Sequence, residues 1–343
     1  MKVEILNILR CPSCFCDKLH IDYEGSFKND VESGWIRCSS CGSRYQIIKG
    51  IPKMLKGKAG MDHHGEVRDA NIEYHDKIAD LYDGSSGEAC QQASFYQNRL
   101  ARILRELRSR SSGDRLLDVG CGTGKVLRHA ANCFRSAVGV DVSFNMLEIA
   151  KNSGFEVVQA DAMFLPFRDG VFDVVSIYSV LHHIFDYRSV LSELGRVLTR
   201  KGFLYWDWDP NRIPDRAFPL RRIIDKAVRN MLALIAFYSI SKNFDIKGVR
   251  VDSRHPDLSK RAEFHNVRGR ERGIDHKLIE KSLSELGFTR IDISYHWAGM
   301  SKGDLFKMAH LSWVLRLLAR PMSFFGLDLN DYMENVQIIA GER

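Results

Sequence analysis

The sequence predicts an α/β fold: a doubly wound, mainly parallel sheet with helices on both faces, preceded by a small metal-binding unit. Two observations carry this prediction. Over residues 115–209, short apolar runs typical of buried strands alternate with amphipathic stretches typical of helices. Two C-x-x-C motifs lie within the first 56 residues. The chain has 343 residues, enough for one large domain with a small appendage.

A glycine-rich turn after the first predicted strand is the best-defined motif of the chain. The apolar run at 116–117 leads to Asp118, and glycines then occupy positions 120, 122 and 124 before a helical stretch begins. Glycine permits positive φ and lets a ligand approach the main chain closely. A dinucleotide-binding fingerprint needs G-x-G-x-x-G, but position 125 is a lysine. The spacing therefore disfavours a dinucleotide.

Acidic residues end the next two predicted strands. Asp141 follows the apolar run at 137–140, and Asp161 follows the run at 157–160. Parallel strands place their carboxyl ends at one edge of the sheet, which is where ligands bind in open α/β folds. A carboxylate about twenty residues beyond the glycine turn is in the place where a ribose diol is bound.

Together with the Leu-Pro-Phe and Phe-Asp-Val segments at 165–175, these features resemble the class I S-adenosylmethionine (SAM) dependent methyltransferases, in their small-molecule, ubiquinone-biosynthesis-like group. The resemblance implies SAM as cofactor and a seven-stranded Rossmann-like sheet whose last strand is reversed. It also implies a lid over SAM at 73–83, for which aromatic packing onto the core is the alternative. The cofactor-binding residues implied are Asp118, Gly120, Gly122, Gly124, Asp141, Asp161, Tyr74 and Tyr82.

Two histidines follow the fourth predicted strand. At the carboxyl end of such a strand a histidine faces the substrate pocket, and its pKa range suits a general base. His182 and His183 are therefore the candidate catalytic or substrate-orienting residues. Residues 178–181 read Tyr-Ser-Val-Leu, where methyltransferases acting on adenine or glutamine amides carry Asn-Pro-Pro-Tyr. That difference argues against those acceptors.

The two C-x-x-C motifs have the spacing of a structural zinc site. Disulfides are the alternative, which a reducing compartment disfavours. Cys16, two residues past the first motif, is expected to be a bystander, with replacement of one ligand as the alternative. The sequence around the second motif resembles the zinc-ribbon family that includes the small activator subunit of methyltransferases, so a protein partner is a further expectation. We predict a zinc ribbon at 1–56, a linker at 57–66 and a methyltransferase domain at 67–343. The predicted ligands are Cys11, Cys14, Cys38 and Cys41.

One region accounts for the whole net positive charge of the chain. Residues 211–272 hold 15 Lys and Arg against 7 Asp and Glu, and the formal net charge is +7. We expect this region to be a basic insertion between the fifth and sixth strands, facing nucleic acid, lipid headgroups, phosphorylated substrates or only solvent. Two amphipathic stretches, 220–240 and 305–325, suit either an anionic membrane surface or packing over the sheet. His265 is a candidate acceptor-site residue.

The leading functional hypothesis is methyl transfer from SAM to a small-molecule or lipid-linked acceptor. The alternative is an RNA methyltransferase that binds tRNA or rRNA through the ribbon and the basic insertion. A non-catalytic partner protein is a third hypothesis, against which the intact glycine turn and strand-end acids speak. Since no secretory signal or membrane-spanning run is visible, we expect a cytoplasmic protein, with the inner membrane face as a peripheral location.

Overall fold

A computed structural model describes most of the ribbon and of the large domain. The predicted basic insertion, both amphipathic stretches and His265 lie outside the described residues. The described residues are 1–22, 30–56, 63–84, 94–184, 186–210, 274–297, 300–301 and 335–341.

The N-terminal unit is a four-stranded antiparallel sheet in the order β1-β2-β3-β4. It follows a 3-10 helix at Val3–Ile8. A two-residue turn joins β3 to β4, and its residues Lys49 and Gly50 have φ of 51° and 70°. Two central residues with positive φ match the right-handed twist of a hairpin. The strands are β1 (Leu19–Asp22), β2 (Gly34–Cys38), β3 (Arg44–Ile48) and β4 (Ile51–Pro52).

In the large domain, helices and strands alternate along the chain. Two helices come first, α1 (His63–Ile78) and α2 (Ser94–Arg110). The alternating part comprises β5 (Arg115–Val119), α3 (Lys125–Ala130), β6 (Ser136–Asp141), α4 (Phe144–Asn152), β7 (Glu156–Gln159), β8 (Phe172–Tyr178), α5 (Tyr187–Val197) and β9 (Leu198–Pro210). The C-terminal elements are α6 (His276–Glu285), β10 (Arg290–Trp297), β11 (Met300–Ser301) and β12 (Asn335–Gly341).

Local sequence explains where these elements begin and end. Every residue of β8 is buried, as expected for an apolar parallel strand covered on both faces. Helix α4 begins at Ser143, whose side chain accepts a hydrogen bond from the Met146 N–H, and α5 begins at Asp186 in the same way. Gly287, with a φ of 90°, follows the end of α6.

The strands form one sheet in the order β11-β10-β12-β9-β8-β5-β6-β7. Strands β7, β6, β5, β8 and β9 are mutually parallel, and β12 is antiparallel to both of its neighbours. The predicted seven-stranded, mainly parallel sheet with a reversed last strand is thus confirmed, and the two-residue β11 extends its edge. From β5 the chain runs outward through β6 to β7, and then returns to β8 on the other side of β5. The connections therefore leave β5 in opposite directions, and a crevice forms at the carboxyl end of this strand.

The ribbon packs against the outer edge of this sheet. The Met54 N–H donates to the Gln159 carbonyl over 2.7 Å, and Lys53 forms a parallel bridge with Gln159. The Arg10 guanidinium lies 3.0 Å from the Asp169 carboxylate. Leu9, Ile36 and Met54 of the ribbon belong to one buried cluster with Phe167 and Phe172 of the large domain. Since an exposed edge strand invites unwanted pairing, the ribbon also covers a vulnerable edge.

None of the helices in the described ranges is both long enough and apolar enough to cross a membrane.

Candidate active site

A cleft of about 830 Å³, including its open mouth, lies at the carboxyl ends of β5, β6 and β7. Most of its wall is apolar, and the polar side chains converge from the strand ends and from α1. The lining residues are His64, Val67, Arg68, Asn71, His75, Tyr82, Val119, Gly120, Gly122, Val140, Asp141, Val142, Met146, Ala160, Asp161, Ala162, Tyr178, Ser179, Val180, His183 and Ile184.

The glycine turn forms the floor of the cleft. Gly120 has a φ of 70°, and a Cβ there would approach a Val180 methyl to 2.3 Å, so only glycine fits. At Gly122 a Cβ would meet only the Tyr82 ring, at 4.0 Å, so its backbone is open to the cleft. Gly124 has a φ of 92° and packs against the Phe155 ring, away from the cleft. Two of the three predicted glycines therefore border the cavity, and the third serves the turn.

Asp141 ties the glycine turn to the start of α4. Its two carboxylate oxygens accept hydrogen bonds from the Gly122 N–H and the Ser143 N–H, both at 2.9 Å. Burial raises the pKa of the Asp141 carboxyl, while nearby His75 and these N–H donors oppose the shift. The cleft-facing lone pairs of Asp141 can accept further hydrogen bonds.

Asp161 lies at the far end of the cleft and is almost completely buried. One of its oxygens accepts a hydrogen bond from the Met163 N–H at 3.0 Å, and the other lies 3.0 Å from His64 Nε2. The Arg68 guanidinium lies 4.0 Å from the same oxygen. Both His64 and Arg68 belong to α1, so this helix is joined electrostatically to the strand end.

Asp118 is the most deeply buried of the three acids. Its Oδ1 accepts a hydrogen bond from the Ser176 hydroxyl at 2.7 Å, whereas Oδ2 has no partner. Burial raises the pKa of Asp118 to about 7, against a smaller opposing effect of Ser176. A buried carboxylate oxygen without a partner is costly, and it is suited to receiving a donor from a ligand.

Helix α1 covers the cleft with one face. The positions that line the cavity follow helical spacing: His64, Val67, Arg68, Asn71 and His75. Asp76 fixes the helix from outside the cleft, because its carboxylate accepts hydrogen bonds from the Ser143 hydroxyl at 2.6 Å and the Asn145 N–H at 3.1 Å.

Of the two predicted lid tyrosines, Tyr82 borders the cleft and Tyr74 does not. Tyr74 packs with the cluster formed by Ile78, Ala79 and Met146. Tyr74 thus packs onto neighbouring apolar residues, which was the alternative to a lid contact.

His183 lines the cleft and His182 stands behind it. The two rings are 4.0 Å apart, and the His75 ring lies 5.1 Å from that of His183 on the other side. His182 Nδ1 is hydrogen bonded to Asp209 Oδ1 at 2.7 Å, and Asp209 also accepts a hydrogen bond from the Trp206 indole. A carboxylate in this position fixes the tautomer and orientation of an imidazole.

Several polar side chains of this site are absent from the sequence-based predictions. They include Asn71, His75 and Asp209, in addition to His64 and Arg68. Asn71 donates to the His183 carbonyl at 3.2 Å, and its own Oδ1 has no partner. His75 Nδ1 is hydrogen bonded to the Asn71 carbonyl at 2.9 Å, and burial lowers the pKa of His75. The Tyr-His-Asp segment at 74–76 is the sequence feature from which a role for His75 in the site could have been predicted. Asp209 lies 27 residues from His182, so no local pattern links them.

The four predicted metal ligands form one cluster. Their sulfur atoms all lie within 4.8 Å of one another, with 3.7 Å between Cys11 and Cys41 and 3.5 Å between Cys14 and Cys38. Four thiolates about 2.3 Å from a central ion in a tetrahedron are about 3.8 Å apart. Cys16 lies outside the cluster, and its sulfur accepts a hydrogen bond from the Lys18 N–H.

Comparisons with known proteins agree with this architecture. A family model described as a methyltransferase domain matches residues 117–206. Over 233 residues the chain is 31% identical to an uncharacterized protein of Methanocaldococcus jannaschii, covering 66% of this chain and 78% of that one. A demethylmenaquinone methyltransferase of Staphylococcus saprophyticus is 34% identical over 142 residues, covering 38% of this chain and 60% of that one.

A third relative is the tRNA (carboxymethyluridine(34)-5-O)-methyltransferase of Arabidopsis thaliana. It is 38% identical over 116 residues, which cover 32% of this chain and 28% of that one. The chain thus spans less than two thirds of the length of both named methyltransferases. The segment matched by the family model runs from β5 into β9 and contains every strand end that borders the cleft. The chain belongs to the class I SAM-dependent methyltransferases.

Proposed function

We propose that the cleft binds SAM with the adenosine between Asp141 and Asp161. Ribose hydroxyls and the adenine amino group are donors, and these two carboxylates, which line the cleft at neighbouring strand ends, are acceptors. The exposed backbone at Gly120 and Gly122 leaves room for the methionyl part of SAM. The observation that carries the fit is Asp118 Oδ2, a buried carboxylate oxygen without a partner, which suits the SAM ammonium group.

His183 is the residue we assign to the acceptor. Methyl transfer is an in-line displacement at a carbon that the sulfonium already activates, so the protein has to align the acceptor and remove its proton if it carries one. His183 lies on the cleft wall, and His182, held by Asp209, packs behind it. Asn71 Oδ1 provides an additional hydrogen-bond acceptor for orienting the substrate.

A small-molecule or lipid-linked acceptor fits this cleft best. Its wall is mainly apolar, and α1 covers it, which suits a compact substrate better than a folded polynucleotide. The similarity to a protein named as a demethylmenaquinone methyltransferase supports the same class.

RNA is the second candidate acceptor. Two observations favour it: the surplus of basic residues at 211–272, and the similarity to a protein named as a tRNA methyltransferase. Binding through phosphates would weaken steeply with salt, so salt-insensitive or absent RNA binding contradicts this candidate.

The acceptor class can be tested by incubating the purified chain with methyl-labelled SAM and a cell extract. We expect label in the lipid or small-molecule fraction. Label in RNA would replace the first candidate with the second, and label only in protein would contradict both. In the fraction that is labelled, His183→Ala should lower the transfer rate about 100-fold or more while leaving SAM affinity unchanged. His20→Ala, an exposed histidine of the ribbon, is the control.

Asp141→Ala should weaken SAM binding by on the order of 1–3 kcal/mol, because the ribose loses a charged acceptor. Isothermal titration of SAM into the purified variant measures this. Asp80→Ala removes an exposed acid of the 73–83 segment that does not line the cleft, and this variant should bind SAM like the wild type. An unchanged affinity of Asp141→Ala refutes the assignment.

Asp118→Asn should stabilise the protein at pH 8 while weakening SAM binding. The pKa of Asp118 is about 7 when folded and 3.8 in the reference state, so the wild type loses stability as pH rises between these values. At pH 8 the variant lacks the buried charge of Asp118, which lowers the stability of the wild type by on the order of 1–4 kcal/mol. Thermal melts should show a higher melting temperature for the variant than for the wild type at pH 8, and a smaller difference between them at pH 5. Equal melting temperatures at pH 8 would contradict the account.

We also propose that the cysteine cluster holds a structural zinc ion. Four sulfur ligands leave no open coordination position, so the ion stabilises the ribbon and takes no part in the chemistry. Through Met54 and Gln159 that stability reaches the large domain.

Cys41→Ser should lower the bound zinc from about one ion per chain and reduce the melting temperature, because a thiolate ligand is lost. Elemental analysis and a thermal melt measure both effects. The matched control is Cys16→Ser, at a cysteine outside the cluster, which should retain the ion. Wild-type protein purified without zinc, or equal loss in the two variants, contradicts the site.

A further inference from the structure

Two side chains of α1 offer hydrogen-bond acceptors to the cleft, one helical turn apart. Asn71 and His75 are four residues apart, and both line the cavity. Residues at this spacing lie on one face of a helix. What each side chain offers to a ligand is determined by the carbonyl groups around it, because a carbonyl oxygen accepts hydrogen bonds and donates none.

The amide of Asn71 is oriented by two such carbonyls. Its Nδ2 donates to the Val67 carbonyl at 2.9 Å and to the His183 carbonyl at 3.2 Å. A primary amide has two N–H donors, so both are used. Asn71 is 5% exposed, and its Oδ1 has no partner. This oxygen is therefore a fixed acceptor that suits a donor group of the substrate.

The same reasoning fixes the tautomer of His75. Its Nδ1 lies 2.9 Å from the Asn71 carbonyl, so Nδ1 carries the hydrogen and donates it. In a neutral imidazole the other nitrogen, Nε2, then bears a lone pair. None of the described residues forms a hydrogen bond with His75 Nε2. Burial lowers the pKa of His75 from its ordinary value of 6.5, so the ring is neutral at neutral pH.

His75 is close both to the residue assigned to the ribose and to the residue assigned to the acceptor. On one side, the negative charge of Asp141 raises the pKa of His75, and His75 lowers the pKa of Asp141. On the other side, the His75 ring centre lies 5.1 Å from that of His183. A base in this position stands where the methyl group would pass from cofactor to acceptor.

Several further groups surround the His75 ring. His182 lowers the pKa of His75 from behind His183, whereas Asp76, on the same helix, raises it. Both charge effects are smaller than the effect of burial. The phenol rings of Tyr74 and Tyr82 lie 5.1 Å and 6.1 Å from the imidazole.

We propose that His75 is the general base of the methyl transfer and that the substrate loses its proton from an O–H or N–H group. This inference rests on the proposed function, and it leaves His183 to align the acceptor. His75 Nε2 takes the proton as the acceptor oxygen or nitrogen forms its bond to the methyl carbon, while the electron pair of the carbon–sulfur bond stays on sulfur. The nearby Asp141 carboxylate stabilises the resulting imidazolium.

The substrate class follows from the two acceptor atoms. Asn71 Oδ1 and His75 Nε2 together match a substrate that presents two donor hydrogens at its reacting end, as an amine or a pair of neighbouring hydroxyls does. A carboxylate or phosphate at this point would face two acceptors and no donor, which is unfavourable. The inference thus excludes methyl-ester formation.

The tautomer of His75 can be measured without cofactor or substrate. Nitrogen magnetic resonance of the full-length chain, carrying isotope-labelled histidine, distinguishes a protonated ring nitrogen from a bare one. The signal that His75→Gln removes belongs to His75. We expect a protonated Nδ1, a bare Nε2 and a titration midpoint below 6.5. A hydrogen on Nε2 at neutral pH would overturn the inference.

The pH dependence of transfer separates a base from an orienting residue. With the fraction of the cell extract that accepts label, the wild-type rate should fall as the pH drops below 6.5, because the base becomes protonated. His75→Gln should lower the rate about 100-fold or more at a similar KM and should lose this pH dependence. His183→Ala should retain it. His20→Gln, at an exposed histidine of the ribbon, is the matched control and should behave like the wild type.

Two kinetic results overturn the inference: a wild-type rate in His75→Gln, or a pH dependence that His183→Ala loses and His75→Gln keeps, which would make His183 the base. Thermal melts show whether each variant is folded, and His75→Asn replaces His75→Gln where that variant is not. A product methyl group that mild alkali releases as an ester overturns the substrate class. A wild-type chain that labels no fraction contradicts the proposed function itself, whereas a hydrogen on Nε2 contradicts only the base.

Discussion

The carboxylate of Asp141 holds the elements of the site together. It accepts hydrogen bonds from the N–H groups of Gly122 and Ser143, which fixes the glycine turn relative to the start of α4. Ser143 in turn donates its hydroxyl to Asp76, so helix α1 is positioned over the same point. Since a buried charge needs hydrogen bonds, these two donors oppose the rise in the pKa of Asp141 that burial causes. The hydrogen bonds of Asp141 therefore fix the glycine turn, α4 and α1 around one end of the cleft.

The ribbon supports this arrangement from the opposite side. The Met54 N–H bonds to the Gln159 carbonyl, and the Gln159 side chain donates to the Val142 carbonyl at 2.8 Å. Val142 follows Asp141 directly, so a continuous path of hydrogen bonds joins the cysteine-rich unit to the Asp141 end of the cleft. A metal that closes the ribbon would thus stabilise the large domain as well. The ribbon surface nearest the sheet is occupied by this chain's own large domain.

Local patterns were sufficient to predict most of the fold. The alternation of strands and helices, the turn at Gly120 and the acids at Asp141 and Asp161 all depend on short-range spacing, which the sequence displays directly. The residues of α1 that face the cleft were harder to predict. This helix contains few apolar residues, so its sequence pattern does not reveal which face is buried. Successive residues of a helix are rotated by about 100° around its axis. His75 therefore lines the cleft while its neighbour Tyr74 lies outside it. Asp209 and the docking of the ribbon depend on contacts between distant segments, which one sequence does not display.

A crystal structure of the chain with bound S-adenosylhomocysteine tests the central claim most directly. The account predicts the ribose at Asp141, the adenine beside Asp161 and the methionyl part at the backbone of Gly120 and Gly122. A ligand bound away from Asp141, or bound with its amino-acid moiety at the Asp161 end, would contradict it.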